Sequence, residues 1–170
     1  QKVKDAYFMW LQNDTFRRHA SGNWLEMLTA VSKDPAMLFW LDQAQSRRQH
    51  PNENFAREVM ELFTLGEGHY TEKDITEAAR ALTGWSIDRV NERFVNRPAL
   101  HDDGSKTFLG RTGRLTGEDV LETIVQQPQA SKFIVAKLWS FFAAENPSEP
   151  LVEALASEFE AGGRKFKPVL

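Results

Sequence analysis

Apolar residues recur at three- and four-residue intervals along most of the chain, and the pattern breaks only between about residues 86 and 114. On a helix, which turns about 100° per residue, that spacing gathers them on one face. From Lys2 to about His19, the positions of Tyr7, Phe8, Trp10, Leu11 and Phe16 predict an amphipathic helix closed by Ser21-Gly22-Asn23. Trp24, Leu25, Met27, Leu28 and Val31 form the buried face of a second. Asp34-Pro35 then restarts the chain, with Asp34 suited to capping and Pro35 to the first helical position of a short helix reaching Asp42. Its MLFWL core is apolar on nearly every side, which predicts a segment surrounded by protein.

Gln43 to Pro51 is polar and loop-like, and Asn52 is a plausible N-cap for NENFAREVMELFTL, a helix expected to stop at Gly66 by a left-handed residue. After a short Gly-containing connection, Thr71 caps a helix whose inner face is Ile75, Ala78, Ala79 and Leu82, with Asp74 forming an imperfect capping box. The small alanines permit close approach, so these two helices are expected to pack as an antiparallel hairpin. Thr83-Gly84-Trp85 ends the helical pattern, and brief alternating runs such as WSIDRV and RFVNR predict one small hairpin and an ordered loop. Helices then resume: one from about Gly117, capped by Thr116, to Gln127, one from Pro128 to about Ala144, and a last from Pro147 or Ser148 to Ala161-Gly162-Gly163. Ile134, Val135, Leu138, Trp139, Phe141 and Phe142 mark the second of these as a central helix. The fold expected is mainly α, a multi-helix orthogonal bundle of seven or eight helices with one β-hairpin or irregular loop insertion near 86–114. One helical domain over 1–170 is expected, helical over 1–84, loop or hairpin over 85–115 and helical again over 116–163.

Composition narrows the classes. With 170 residues, 41% of them hydrophobic, one compact core is feasible without covalent staples. Cys is absent, which excludes disulfides, thiolate metal sites and a Cys nucleophile. A net charge of −3 with no long run of like charge argues against nucleic acid as a partner. The longest uncharged apolar tract is too short to cross a bilayer, so no membrane span is expected. The start, QKVKDAYF, lacks Met, and the end, FKPVL, stops where an apolar segment begins; a fragment of a longer protein is expected.

The chemistry most worth weighing is a polar stripe. Asn54, Arg57, Glu58 and Glu61 fall within one arc of their helix, after Asn52 and Glu53 in its first turn. Such a stripe could clamp a carboxylate, hold a cation or divide acid and base work between Glu58 and Glu61. It contains Arg and no Lys, as a bidentate brace would. His101 and Asp102, in HDDG, add further candidates: Glu58, Glu61 and His101 for catalysis, the same three with Asp102 for a divalent metal. No tight metal-ligand spacing such as H-E-x-x-H occurs, and no organic cofactor is expected. His50 flanks the same helix and His69 reads as a turn residue. GSKTFLGRTG lacks the order of a phosphate loop and reads as a loop or edge hairpin. The five tryptophans read as core, though Trp85, at the mouth of the irregular segment, could stack on a sugar or peptide.

The pieces NENFARE, ELFTLG and AARALTGW, followed by HDDGSKTFLGRTGRLTGEDVLETI and SKFIVAKLWSFF, resemble the bacterial family catalogued as domain of unknown function 1800, over nearly the whole chain. Asn52, Glu53, Asn54, Arg57, Glu58, Glu61, Arg80, Gly84, Trp85, His101 and Asp102 match its distinctive motifs. The chain departs from the usual pattern at Val59, where Leu is typical, and at Asp103, where Pro is common. Family members are larger and many are exported, so the resemblance implies a periplasmic or exported location; it supplies no reaction. Two functions are expected from these residues together. The first is a helical binding or assembly module of a bacterial envelope or exported protein, for a protein or polymer partner, with Arg57 and Glu58 bracing the loop after Trp85 through Arg80 or Asp102. The second is a hydrolase, metal-dependent or not, acting on a polymer or glycan through Glu58 and Glu61.

Overall fold

The computed structural model describes residue 3 and residues 5–170. Among these, eight α-helices surround two short hairpins. The first helices are α1 (Ala6–His19), α2 (Trp24–Ser32), α3 (Pro35–Trp40), α4 (Glu53–Glu61) and α5 (Glu72–Ala81). Strands β1 (Trp85–Asp88) and β2 (Arg93–Asn96) pair antiparallel, as do β3 (Lys106–Phe108) and β4 (Arg111–Gly113). Helices α6 (Gly117–Val125), α7 (Pro128–Phe142) and α8 (Glu149–Ala161) complete the chain. The protein is mainly α with a small β insertion, as the periodicity predicts.

Local chemistry explains most of the boundaries. Asp5 caps α1, so this helix begins at Ala6; the predicted start at Lys2 lies outside the described residues. Asp34 accepts from the Ala36 and Met37 amides and Pro35 opens α3, while burial raises the Asp34 carboxyl against the pull of those bonds. Thr71 and Asp74 close a full capping box, Asp serving in the place usually held by Glu. Helix α4 ends at Glu61, earlier than its apolar pattern implies, because Leu65 and Gly66 both donate to the Met60 carbonyl, at 2.7 and 3.1 Å. Gly66, at φ 80°, makes that wide turn without steric cost.

The core runs through Leu38, Phe55, Met60, Ile75, Leu121 and Ile124, all sealed from solvent. Three polar contacts lock the chain between α3 and α4 against the end of α5. Gln43 Nε2 donates to the Leu82 carbonyl at 2.8 Å, the Ser86 hydroxyl to Ala44 at 3.1 Å, and the Gly84 amide to Ser46 at 3.2 Å. Asn52 donates to the Leu41 carbonyl at 2.7 Å as well as capping α4.

Four expectations need correction. Two hairpins occupy 85–113 rather than one: Leu109 and Gly110, with φ 44° and 85°, form the two-residue turn that lets β4 return on β3. Helix α7 is not central, since it packs on α6 and α8 but leaves Phe141 81% exposed. The MLFWL segment is buried at Met37, Leu38 and Leu41 only, with Phe39 and Trp40 facing outward. Of the tryptophans, Trp24 and Trp85 are core, whereas Trp10 and Trp40 are exposed. Trp85 is closed to any sugar or peptide: it meets the Phe94 ring edge-on at 5.5 Å, and Gly117 lies so close that a Cβ there would sit 2.4 Å from the indole.

Candidate functional site

The polar stripe on α4 zips this helix to α5. Arg57 forms a bidentate pair with Glu72, its two guanidinium nitrogens at 2.9 and 2.8 Å. Glu53 accepts from the Thr76 hydroxyl at 2.9 Å, and Glu61 from the Tyr70 hydroxyl at 3.0 Å. Partners that descend in number as the stripe ascends mean that α4 and α5 run antiparallel. The Arg57 guanidinium is held charged by Glu72, whose carboxyl it draws below the usual range. Burial, with Glu61 beside it, pushes the Tyr70 phenol up to about 12. Asn54 is exposed, and the half-buried Glu58 carboxylate makes no hydrogen bond or ion pair among the described residues. Arg57 and Glu58 therefore do not brace the loop after Trp85, because the Arg57 fork is already filled by a carboxylate on α5.

The loop is held instead by three residues of α5 spaced three apart, Asp74, Glu77 and Arg80, which share one helical face. Arg80 donates to both Asp102 oxygens, from Nε at 2.8 Å and Nη2 at 3.3 Å, to Glu77 at 3.0 Å and to the Ser105 carbonyl at 3.3 Å. Glu77 accepts from the Thr107 amide and Asp74 from the Leu109 amide, both at 2.9 Å. Asp102 also accepts from the Gly104 amide at 2.8 Å. One turn below Arg80, the buried Thr83 hydroxyl donates to the Arg80 carbonyl at 2.6 Å and accepts from the Asp102 amide at 2.8 Å. His101 lies beside it, its Nδ1 donating to the Thr83 carbonyl at 2.9 Å.

Beneath this clamp lies Lys106, only 1% exposed. Its ammonium donates to three carbonyls, those of Asp102, Gly104 at 3.0 Å and Leu115 at 3.0 Å. An ammonium has three protons, and each has an acceptor here. The lysine thus ties the start of the loop to its exit into α6. Arg80 holds the Asp102 carboxyl below the usual carboxylate range, and burial pushes the Lys106 ammonium below that of an ordinary lysine. Asp74 is pulled up by burial but down further by its bonds from Thr71 and Leu109, for a net fall. Of the two cations in GSKTFLGRTG, Lys106 is therefore enclosed by backbone carbonyls and Arg111 is paired with Asp119 and Glu122.

The structure does not bring the two carboxylates of α4 to His101 and Asp102. Arg57 lies opposite Glu72, and Arg80 is eight residues further along α5, about 12 Å at 1.5 Å per residue. Among the described residues, no group of three or more His, Asp or Glu side chains is placed to hold a metal ion. His50 and His69 lie exposed, on the loop before α4 and the turn after it. The Asp74, Glu77 and Arg80 face carried a legible signal in its three-residue spacing, whereas Lys106 looked like any loop cation.

No curated protein and no solved structure matches the chain. The model of the family described as protein of unknown function (DUF1800) matches residues 1–170, and the chain belongs to that family.

Proposed function

We propose that the chain is a helical binding or assembly module of an exported or envelope protein, acting through a surface held in one shape and not through a reacting group. The observation that carries this reading is the clamp: Arg80 and Glu77 of α5 hold Asp102 and Thr107 of the irregular segment, and the buried Lys106 ties that segment to its own exit at Leu115. Binding residues commonly sit on loops positioned by a rigid scaffold, and such loops lose little freedom when a partner docks. The exported location rests on the family resemblance alone. Limited trypsin digestion tests the reading. The bond after Arg114 precedes Leu115, whose carbonyl is held by Lys106; it should resist cleavage in the wild type and open in Arg80→Met. Equal cleavage of both proteins would contradict a fixed surface.

A second reading, hydrolysis of a polymer or glycan, has one observation in its favour: Glu58 is half-buried and its carboxylate unpartnered among the described residues, one turn from Glu61. If the wild type releases reducing ends from a polysaccharide and Glu58→Gln does not, this reading gains; if the two behave alike, it fails.

A further inference from the structure

We propose that the two loops carrying Arg47, Arg48 and Arg97 form a docking surface for an acidic peptide segment of a protein partner; the inference rests on the binding-module reading and names its ligand. Acidic residues outnumber basic ones, 24 to 21. Some cations elsewhere are neutralised locally, as in Lys33 with Glu118 at 2.6 Å, Arg111 with Asp119 at 2.6 Å and Lys132 with Glu153 at 3.0 Å. Others, such as Arg89, Arg93, Lys165 and Lys167, form no ion pair among the described residues; what sets Arg47, Arg48 and Arg97 apart is that hydrogen-bonded backbone gathers them. Arg47, Arg48 and Arg97 are exposed, and none forms an ion pair among the described residues. Of the two carboxylates that follow Arg97 on that loop, Asp102 is already bound by Arg80 and Asp103 is exposed.

The backbone brings these arginines together. The Arg48 amide donates to the Leu100 carbonyl at 2.8 Å, and the Arg97 amide to Gly84 at 2.8 Å, while the Gly84 amide donates to Ser46 at 3.2 Å. Gly84 is the junction of both loops, and only glycine fits it: φ is 88°, and a Cβ would lie 2.8 Å from the Arg97 carbonyl oxygen. The tip of the first loop is closed by a reciprocal pair of bonds between Arg47 and His50, at 3.3 and 2.7 Å. Its base is fixed by the buried Ser46, whose hydroxyl accepts from the Asn52 amide at 3.0 Å. Three guanidinium groups are thus presented from backbone that is already ordered, so binding costs less conformational entropy.

The chemistry favours a peptide. Guanidinium forks match carboxylates in bidentate pairs and are enriched at protein interfaces. Leu100, an exposed apolar side chain, follows Arg97 on the second loop and offers contact for the apolar residues of a peptide. Three arginines on a chain of net charge −3 are too few for the broad cationic footprint that a nucleic acid requires.

Fluorescence anisotropy with a labelled Glu- and Leu-containing peptide tests this, against the same peptide with Gln for Glu, heparin and single-stranded DNA. The acidic peptide should bind, the Gln peptide should not, and Arg48→Glu/Arg97→Glu should weaken binding at least about tenfold, as expected for losing charge-assisted pairs. Its melting temperature should be unchanged, since neither side chain is paired. Lys165→Glu/Lys167→Glu, which alters net charge equally, should bind as wild type. Absence of binding, an equal loss in the lysine control, or tighter binding of heparin or DNA than of the peptide would overturn the proposal. If the bond after Arg114 resists trypsin yet the peptide does not bind, the ligand class is wrong and the fixed surface stands.

Discussion

Lys106 is the residue on which the irregular segment depends most. A buried acceptor left without its donor costs about 1–3 kcal/mol, and this ammonium serves three carbonyls. Lys106→Met should therefore lower unfolding free energy by at least about 2 kcal/mol in urea titrations. Arg57→Ala should do far less, because its partner Glu72 stands 78% exposed and a solvent-screened pair contributes little. A loss for Arg57→Ala as large as that for Lys106→Met would reverse this ranking. Residues whose partners lie within a few positions were legible in the sequence: Asp34, Asn52, Thr71 and Thr116 all cap as their spacing implied. Lys106 was not, because its burial is created by Leu115, beyond the second hairpin, and by the fold of α5 against the loop.

At the scale of elements, one face of α5 organises everything from Asp102 to Leu109, and its strength depends on acid. The folded pKa of Asp102 lies below its ordinary 3.8, so the folded state favours the charged form. The clamp should contribute fully above that ordinary value and be lost as pH falls through the lower folded one. Asp102→Asn should lose this acid dependence, which urea midpoints measured across that range would reveal; a parallel acid profile in both proteins would contradict it. Gly117→Ala should also destabilise, since its Cβ would enter the Trp85 ring. The helices and the α4 to α5 hairpin were legible from periodicity and small residues. For the β3 to β4 segment, GSKTFLGRTG left loop and edge hairpin both open, because three-residue strands give too few alternations to register and the turn places Leu109 in a conformation usually left to glycine. Helix α7 was misplaced because an apolar run states only what could be buried, not what covers it. Phe142→Ser, at an exposed position, should shift stability by no more than about 0.5 kcal/mol.

Across the whole molecule, two groups of charged side chains matter to this reading. Those of the α4 to α5 pair and the clamp join parts of the chain to each other, while Arg47, Arg48 and Arg97 face outward from backbone that the clamp and Gly84 hold in place. The α4 stripe was visible in the sequence, but its targets were not, since helix spacing says which side chains share a face and nothing about what stands opposite. The irregular segment is fixed from within. Native-state hydrogen exchange at the amides of Asp102, Gly104, Thr107 and Leu109, which donate to Thr83, Asp102, Glu77 and Asp74, measures this most directly. These amides should exchange slowly in the wild type, with the first three losing protection in Arg80→Met while Leu109 keeps it through Asp74. Exchange at the rate of an open loop in the wild type would contradict the account.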